Sequence, residues 1–182
     1  STRDISELFS AIMVHAKTLM EVERTTMFLV DHTRKVLYTM VADGLADGRE
    51  ITVPWDKGLA GACYQSKQVV NIRDAYTDDR FNKNVDLYTG FRTVSVLCYP
   101  VLNKDDEVIG VIQLINKISG LPQFTDQDVD LMVAFSAQIG MCIEHVQSAK
   151  ALRNELHKLD RLVDAISGLT RTMSKFGSLL SV

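Results

Sequence analysis

Two apolar runs, Thr93 to Leu102 and Glu107 to Asn116, flank the polar tetrapeptide Asn103-Lys104-Asp105-Asp106, and nothing else in the chain restricts its fold as strongly. Each run has the length of a β-strand and is apolar nearly throughout. The pattern therefore predicts a hairpin of central strands covered on both faces. Thr25 to Asp31 and Val36 to Ala42 form a second β-rich pair around His32-Thr33-Arg34-Lys35, and Ile51 to Pro54 and Val69 to Ile72 are short strand candidates. Between these lie helix signals. From Ile5 to Met20 apolar residues recur with helical spacing, and Lys57-Gly58 opens a helix running to about Gln65. The segment Asp74 to Arg92 is polar, rich in Asp and Asn and without a sustained period; it reads as an irregular region with one helical turn. Long loops of this kind inside compact domains are often functional.

After Asp128 a helix runs through Leu131, Phe135, Ile139, Cys142 and Val146, with no obvious break before Gly168. Beyond it Leu152, Leu156, Leu159, Val163 and Ile166 continue a three-and-four spacing that starts at Ala149 and reaches Met173. That is the heptad seam of a coiled coil, and it predicts a homodimer formed through this helix and the N-terminal one; the alternative is that the stripe packs back on its own domain. The division expected is a domain over residues 1–146 followed by a coiled-coil or linker helix over 147–182.

Composition narrows the function classes. With 182 residues, 46% of them hydrophobic, the chain can bury a sizeable core. A net charge of −3 offers no basic surface to nucleic acid or to an anionic membrane, and neither partner is expected. The longest apolar runs are strand-sized, and Ser1-Thr2-Arg3-Asp4 is not a signal peptide, so a cytoplasmic setting is expected. Cys63, Cys98 and Cys142 are far apart and lack metal-ligand spacing, which suits buried free thiols in a reducing compartment; no metal site and no cofactor is expected. His15, His32, His145 and His157 are scattered, and no nucleophile-elbow or phosphate-loop motif occurs.

Two local patterns do carry chemistry. Gly58-Leu59-Ala60-Gly61 places small residues at a helix start, where backbone N–H groups can approach an anion such as a phosphate; tight packing of a short helix on the sheet explains the same residues equally well. Asn116-Lys117, at the end of the last strand, is followed by a Gly-Pro loop, by Phe124 and by a helix that Thr125 or Asp126 caps and that carries Asp128. Lys117 and Asp128 can meet across that loop.

The Asn116-Lys117, Phe124, Asp128 pattern resembles the signature of GAF domains, the small-molecule sensor modules of cyclic-nucleotide phosphodiesterases and of some bacterial adenylyl cyclases. Val129 stands where that signature has Glu. The resemblance extends from about Ile5 to Val146, and the run Thr89-Gly90-Phe91-Arg92-Thr93 places it in the nucleotide-binding branch. It implies an α+β GAF fold, a central antiparallel sheet with helices on both faces and a long C-terminal helix. It also implies a ligand, cAMP or cGMP, lying over the sheet and under the irregular segment. Carried over by position, Leu59 and Ala60 would offer backbone donors to the cyclic phosphate. Asp86 and Thr89 would face ribose or base from the lid, with Thr93 beginning the strand beneath. Arg24 and Thr26 would reach the base edge, and Asp43 would contact the base through its backbone. Ala42 falls near a position where one phosphodiesterase subgroup stacks an aromatic ring on guanine. Gln113 stands where that subgroup has Glu, and Gln-Leu-Ile-Asn-Lys resembles the cyanobacterial adenylyl cyclase type that senses cAMP; with Arg24 and Thr26 it tilts the expectation to cAMP. As ordinary polar punctuation of strands, Arg24, Thr26, Thr93 and Gln113 need no ligand.

The function expected is regulatory rather than catalytic: a cyclic-nucleotide sensor that signals through a dimerising helix to an output domain such as a phosphodiesterase or an adenylyl cyclase. Lys117 and Asp128 are expected to hold structure rather than ligand. Two alternatives belong to other classes. A degenerate GAF domain would only dimerise, and a stand-alone one would reduce free methionine sulfoxide with paired cysteines of lowered thiol pKa. Photoreceptor-type pigment attachment would need an exposed Cys in the lid segment, which holds none.

Overall fold

The computed structural model describes residues 2–42 and 50–179, and two compact units divide at Cys142 and Ile143. In the first unit a six-stranded antiparallel sheet runs in the order β3-β2-β1-β6-β5-β4, with β1 Val22–Asp31, β2 Val36–Ala42, β3 Thr52–Pro54, β4 Val70–Ile72, β5 Val96–Leu102 and β6 Val108–Lys117. The two long hairpins meet at the centre, where β1 pairs with β6 from Val22 opposite Lys117 to Leu29 opposite Gly110. A register shift between Met27 and Phe28 bends the β1–β2 pair.

The near-continuous apolarity of β5 and β6 has the expected cause. Val96, Cys98 and Val111 face α2 (Gly58–Ser66) in one cluster with Phe28, Leu59 and Cys63. Leu97, Val101, Ile112 and Leu114 point the other way and are equally buried. That second face is covered by α1 (Thr2–Met20), whose Phe9, Met13, Ala16 and Met20 are buried at four-three-four spacing, and by the first turns of α4 (Asp126–Leu179). Gly140 lets α4 come down on the sheet: a Cβ there would stand 2.6 Å from the Leu102 carbonyl oxygen. One stretch of α4 is long and apolar enough to cross a membrane, and Met132 and Ile139 within it are fully buried in the domain.

The structure departs from the sequence reading in the polar segment. Residues 74–92 hold a 3-10 turn, Ala75–Thr77, and a full helix, α3 (Lys83–Thr89), where one helical turn was expected. The Asn82 side chain accepts from the Asn84 N–H at 3.1 Å to start α3, and Gly90, at φ 69°, ends it with its N–H on the Asp86 carbonyl. β5 begins at Val96 and not at Thr93, because side chains replace the ladder there: the Thr93 N–H goes to Asp86 and the Val94 N–H to Asn116. β1 starts three residues before Thr25 and the last strand ends at Lys117, one residue beyond Asn116. Gly168 does not interrupt α4.

The closest approach in the sheet is at Gly110, where an added Cβ would lie 2.7 Å from the Phe28 carbonyl oxygen. Gly110→Ala should therefore lower the unfolding free energy by about 1–3 kcal/mol, the usual cost of overpacking a filled core. Urea denaturation followed by circular dichroism checks this; an unchanged midpoint would refute it.

Candidate functional site

A row of residues crosses four strands on the sheet face that looks toward α2. Cys98 on β5 is opposite Gln113 on β6, Gln113 opposite Thr26 on β1, and Thr26 opposite Ala42 on β2. Arg24 lies two residues before Thr26 on the same face, and its guanidinium carbon stands 3.7 Å from the centroid of the Phe91 ring at the end of the lid. Thus Arg24, Thr26 and Gln113 are brought onto one surface. Ala42 joins it through its backbone pairing, whereas Asp43 lies outside the described residues.

At one side of this surface α2 begins. Its side chains at Leu59 and Ala60 are buried, and the turn closes with the Gly61 N–H on the Lys57 carbonyl at 3.2 Å. Lys57 supplies no side-chain cap, and no acidic residue stands in the first turn. The N-terminal amides thus keep the polarity that favours an anion. Gly61 allows the helix to sit against the preceding loop, since a Cβ there would meet the Trp55 carbonyl oxygen at 3.0 Å. The lid reaches the same place: the Arg80 carbonyl oxygen lies 4.0 Å from where a Gly58 Cβ would be.

Asp86 has a different environment from that of an exposed ligand contact. It is buried, and its carboxylate accepts from the Thr93 N–H at 2.6 Å, from the Thr93 hydroxyl at 2.7 Å and from the Tyr76 hydroxyl at 3.0 Å. Asp86 and Thr93 therefore bind each other and tie the middle of α3 to the end of the loop that follows it. Thr89 is exposed, with its hydroxyl turned back on the Val85 carbonyl at 2.8 Å. Sequence reasoning missed Tyr76, Phe91 and Arg92. The Arg92 guanidinium carbon lies 3.7 Å from the centre of the Tyr76 ring, which also packs on Phe81. Desolvation, reinforced by the Asp86 hydrogen bond, pushes the Tyr76 phenol above its usual range. The cue available in sequence was alternation of aromatic and basic residues in a segment otherwise polar.

Asn116 and Lys117 tie this region to the helices. Asn116, at φ 59°, accepts the Val94 N–H at 2.6 Å and donates to Glu23 at 2.7 Å and to the Arg92 carbonyl at 2.8 Å. Lys117 donates to the Met20 carbonyl at the end of α1 (3.0 Å) and to Asp128 at the start of α4 (2.5 Å). The pair is nine-tenths buried. Asp128 also accepts the Thr125 N–H at 2.7 Å while its own N–H goes to the Thr125 hydroxyl, the reciprocal cap of a helix start. Phe124 is buried, and its carbonyl takes the Asn71 amide at 3.0 Å.

Two of the thiols, Cys63 and Cys98, are poor nucleophiles. Burial pushes Cys63 up to about 12, and Cys98, wholly buried, is also raised well above the ordinary thiol range. Among the described residues no group of three His, Cys, Asp or Glu side chains could hold a metal ion.

This architecture is that of an α+β domain, a six-stranded antiparallel sheet with α2 and a capped lid on one face and α1 and α4 on the other. The GAF domain model matches residues 4–143, and the chain belongs to the GAF domain family. It is 34% identical over 176 residues to the dual 3′,5′-cyclic-AMP and -GMP phosphodiesterase 11A of Takifugu rubripes, covering 91% of this chain and 20% of that protein. It is also 34% identical over 157 residues to the cGMP-specific 3′,5′-cyclic phosphodiesterase of Drosophila melanogaster, covering 79% of this chain and 14% of that protein. The chain thus spans a fifth or less of the length of these relatives. Among solved structures, a methyl-accepting chemotaxis protein fragment, residues 122 to 287, superposes with a TM-score of 0.68 at 26% identity over 83% of this chain and 94% of that one. The GAF domain of the Acinetobacter phosphoenolpyruvate-protein phosphotransferase shares the fold at a TM-score of 0.68 and 21% identity, over 81% of this chain and 86% of that one.

Two expectations follow. Burial alone would raise the Asp128 pKa, but the Lys117 ammonium and the Thr125 donors outweigh it and hold the carboxyl below its usual range. A depressed folded pKa stabilises the protein above the unfolded value near ~4 and loses that contribution as pH falls through the folded value. The denaturant midpoint of the wild type should therefore drop below about pH 4, while Asp128→Asn, destabilised by roughly 3–5 kcal/mol at pH 7, should lack that component. A midpoint that Asp128→Asn leaves unchanged at pH 7 would contradict it. Separately, Cys63 and Cys98 should resist alkylation in the folded protein at pH 8 and react only in denaturant, as read by mass spectrometry of peptides; modification of either under native conditions would show that the core opens.

Proposed function

We propose that this domain is a regulatory sensor of a 3′,5′-cyclic purine nucleotide, with cAMP favoured over cGMP, and that it signals through α4 self-association to an output domain of cyclic-nucleotide metabolism such as a phosphodiesterase or an adenylyl cyclase. The observation that carries the reading is the convergence of three elements on one face: the polar row of Thr26 and Gln113, the uncapped start of α2, and the lid anchored by Asp86 and Thr93. A purine edge suits the hydroxyl and amide of that row, because both can donate and accept. An anionic phosphate suits the free amides of Leu59 and Ala60. Relatives that are phosphodiesterases by name support the ligand class. The reaction class is binding: the ligand shifts a population of lid and helix arrangements and leaves unchanged. The domain acts without metal or cofactor, as a cytoplasmic homodimer with no nucleic-acid or membrane partner.

One observation favours a second reading. Asp86 is saturated by internal partners, and among the described residues no buried side-chain nitrogen or oxygen lacks a hydrogen bond. A domain that binds nothing and only self-associates would look the same.

Isothermal titration of the nucleotide-stripped protein with cAMP and with cGMP separates the two. The sensor reading expects saturable binding, a cAMP preference of at least tenfold (~1.4 kcal/mol) and a roughly tenfold loss in Gln113→Ala at unchanged melting temperature. No heat from either nucleotide with a folded sample leaves the self-association reading.

A further inference from the structure

The second unit carries its own instruction about how two copies meet. On the α4 residues 149–166, Leu152, Leu156, Leu159, Val163 and Ile166 form one stripe, each more than half exposed. With Ala149 they occupy the two inward heptad positions, which places Arg153 and Asp160 on one flank of the stripe and Glu155 and Leu162 on the other. We propose that this stripe is the contact surface for a second copy of the chain, and that the two helices run antiparallel with Leu156 of each opposite Leu159 of the other. The inference rests on the self-association reading above and adds the orientation to it.

Two independent features select that direction. The first is charge. In a parallel, in-register pair each Glu155 faces Asp160 of the other copy, so like charges oppose each other twice. In the antiparallel pair centred between residues 157 and 158, Arg153 faces Asp160 of the second copy, also twice, and Glu155 lies beside Leu162. Glu155 meanwhile holds an ion pair with Lys158 of its own helix at 2.7 Å, an exposed contact of small worth, and Asp160 forms no ion pair among the described residues. The second is volume. The antiparallel layers set Ala149 against Ile166, Leu152 against Val163 and Leu156 against Leu159, so the smallest side chain meets a large one and no layer holds two alanines. A parallel pair stacks Ala149 on Ala149 at one end and Ile166 on Ile166 at the other, leaving the seam underfilled where it starts. All of these side chains are exposed within their own unit.

The charge pattern makes the two directions respond with opposite sign. By sedimentation equilibrium of the full chain, Asp160→Arg should weaken the dimer roughly tenfold, because it sets Arg against Arg153 at two sites, and Arg153→Asp combined with Asp160→Arg should restore it. A parallel pair would be tightened by Asp160→Arg and indifferent to the second change. Oxidative cross-linking in a Cys142→Ser background gives an independent readout. Leu152→Cys alone should not cross-link, since the two thiols would be eleven residues, roughly 16 Å, apart along the axis, whereas Leu152→Cys with Val163→Cys should. A tightened Asp160→Arg dimer, or cross-linking by the single cysteine, overturns the orientation and keeps the self-association reading. A dimer indifferent to both charge changes overturns the stripe as the interface. A wild type that stays monomeric while it binds cyclic nucleotide overturns both the orientation and the self-association reading on which it stands.

Discussion

The ammonium of Lys117 sits where three parts of the first unit end, and their relative placement depends on it. It closes the last carbonyl of α1, neutralises the carboxylate that starts α4, and stands at the final residue of the central strand. A charge this deeply buried is tolerated only when paired and hydrogen-bonded, and removing either partner leaves the other stranded. Its neighbour Asn116 works on the opposite side of the backbone. Held at a positive φ, it turns its amide to the end of the lid, to the strand entry at Val94 and to Glu23 on β1. Two consecutive residues thus connect the segment over the sheet to the helices under it. Such a junction can pass a change in the lid to α1 and α4 without a long chain of intermediates, since only one peptide unit separates the two sets of bonds.

The same geometry explains why Asp128 is a structural residue. Its two oxygens are divided between Lys117 and the cap of α4, and neither faces the surface formed by Arg24, Thr26 and Gln113. Loss of that carboxylate would disturb any ligand only by loosening the frame around it. Asp86 plays the corresponding part for the lid, with Thr93 and Tyr76 as its partners.

Much of the frame was legible from sequence, for a physical reason: the apolar runs and the helical spacing of α1 and α4 record burial directly. The pairing of Lys117 with Asp128 was legible because a short Gly-Pro loop fixes the distance between a strand end and a helix cap. The lid was harder. α3 has only seven residues and little apolar periodicity, so its signals were the capping Asn82 and the terminating Gly90 rather than a stripe. The start of β5 was misjudged because its apolar pattern continues upstream of the ladder, into residues whose N–H groups are taken by Asp86 and Asn116. No propensity reports that a side chain will compete with a neighbouring strand for a backbone donor. For the surface itself, Arg24, Thr26 and Gln113 were placed together through the family resemblance, and the clamps made by Phe91 and Arg92 became evident only from the positions of the rings.

The sheet ends on both sides in strands of three residues, β3 and β4. Edges so short present few unpaired backbone groups and make poor templates for another copy's strand. A domain built this way can be produced at high local concentration, as a module inside a larger assembly would be, without its sheets fusing edge to edge into fibrils. Backbone pairing at the sheet edge is thereby disfavoured as a route of contact between copies.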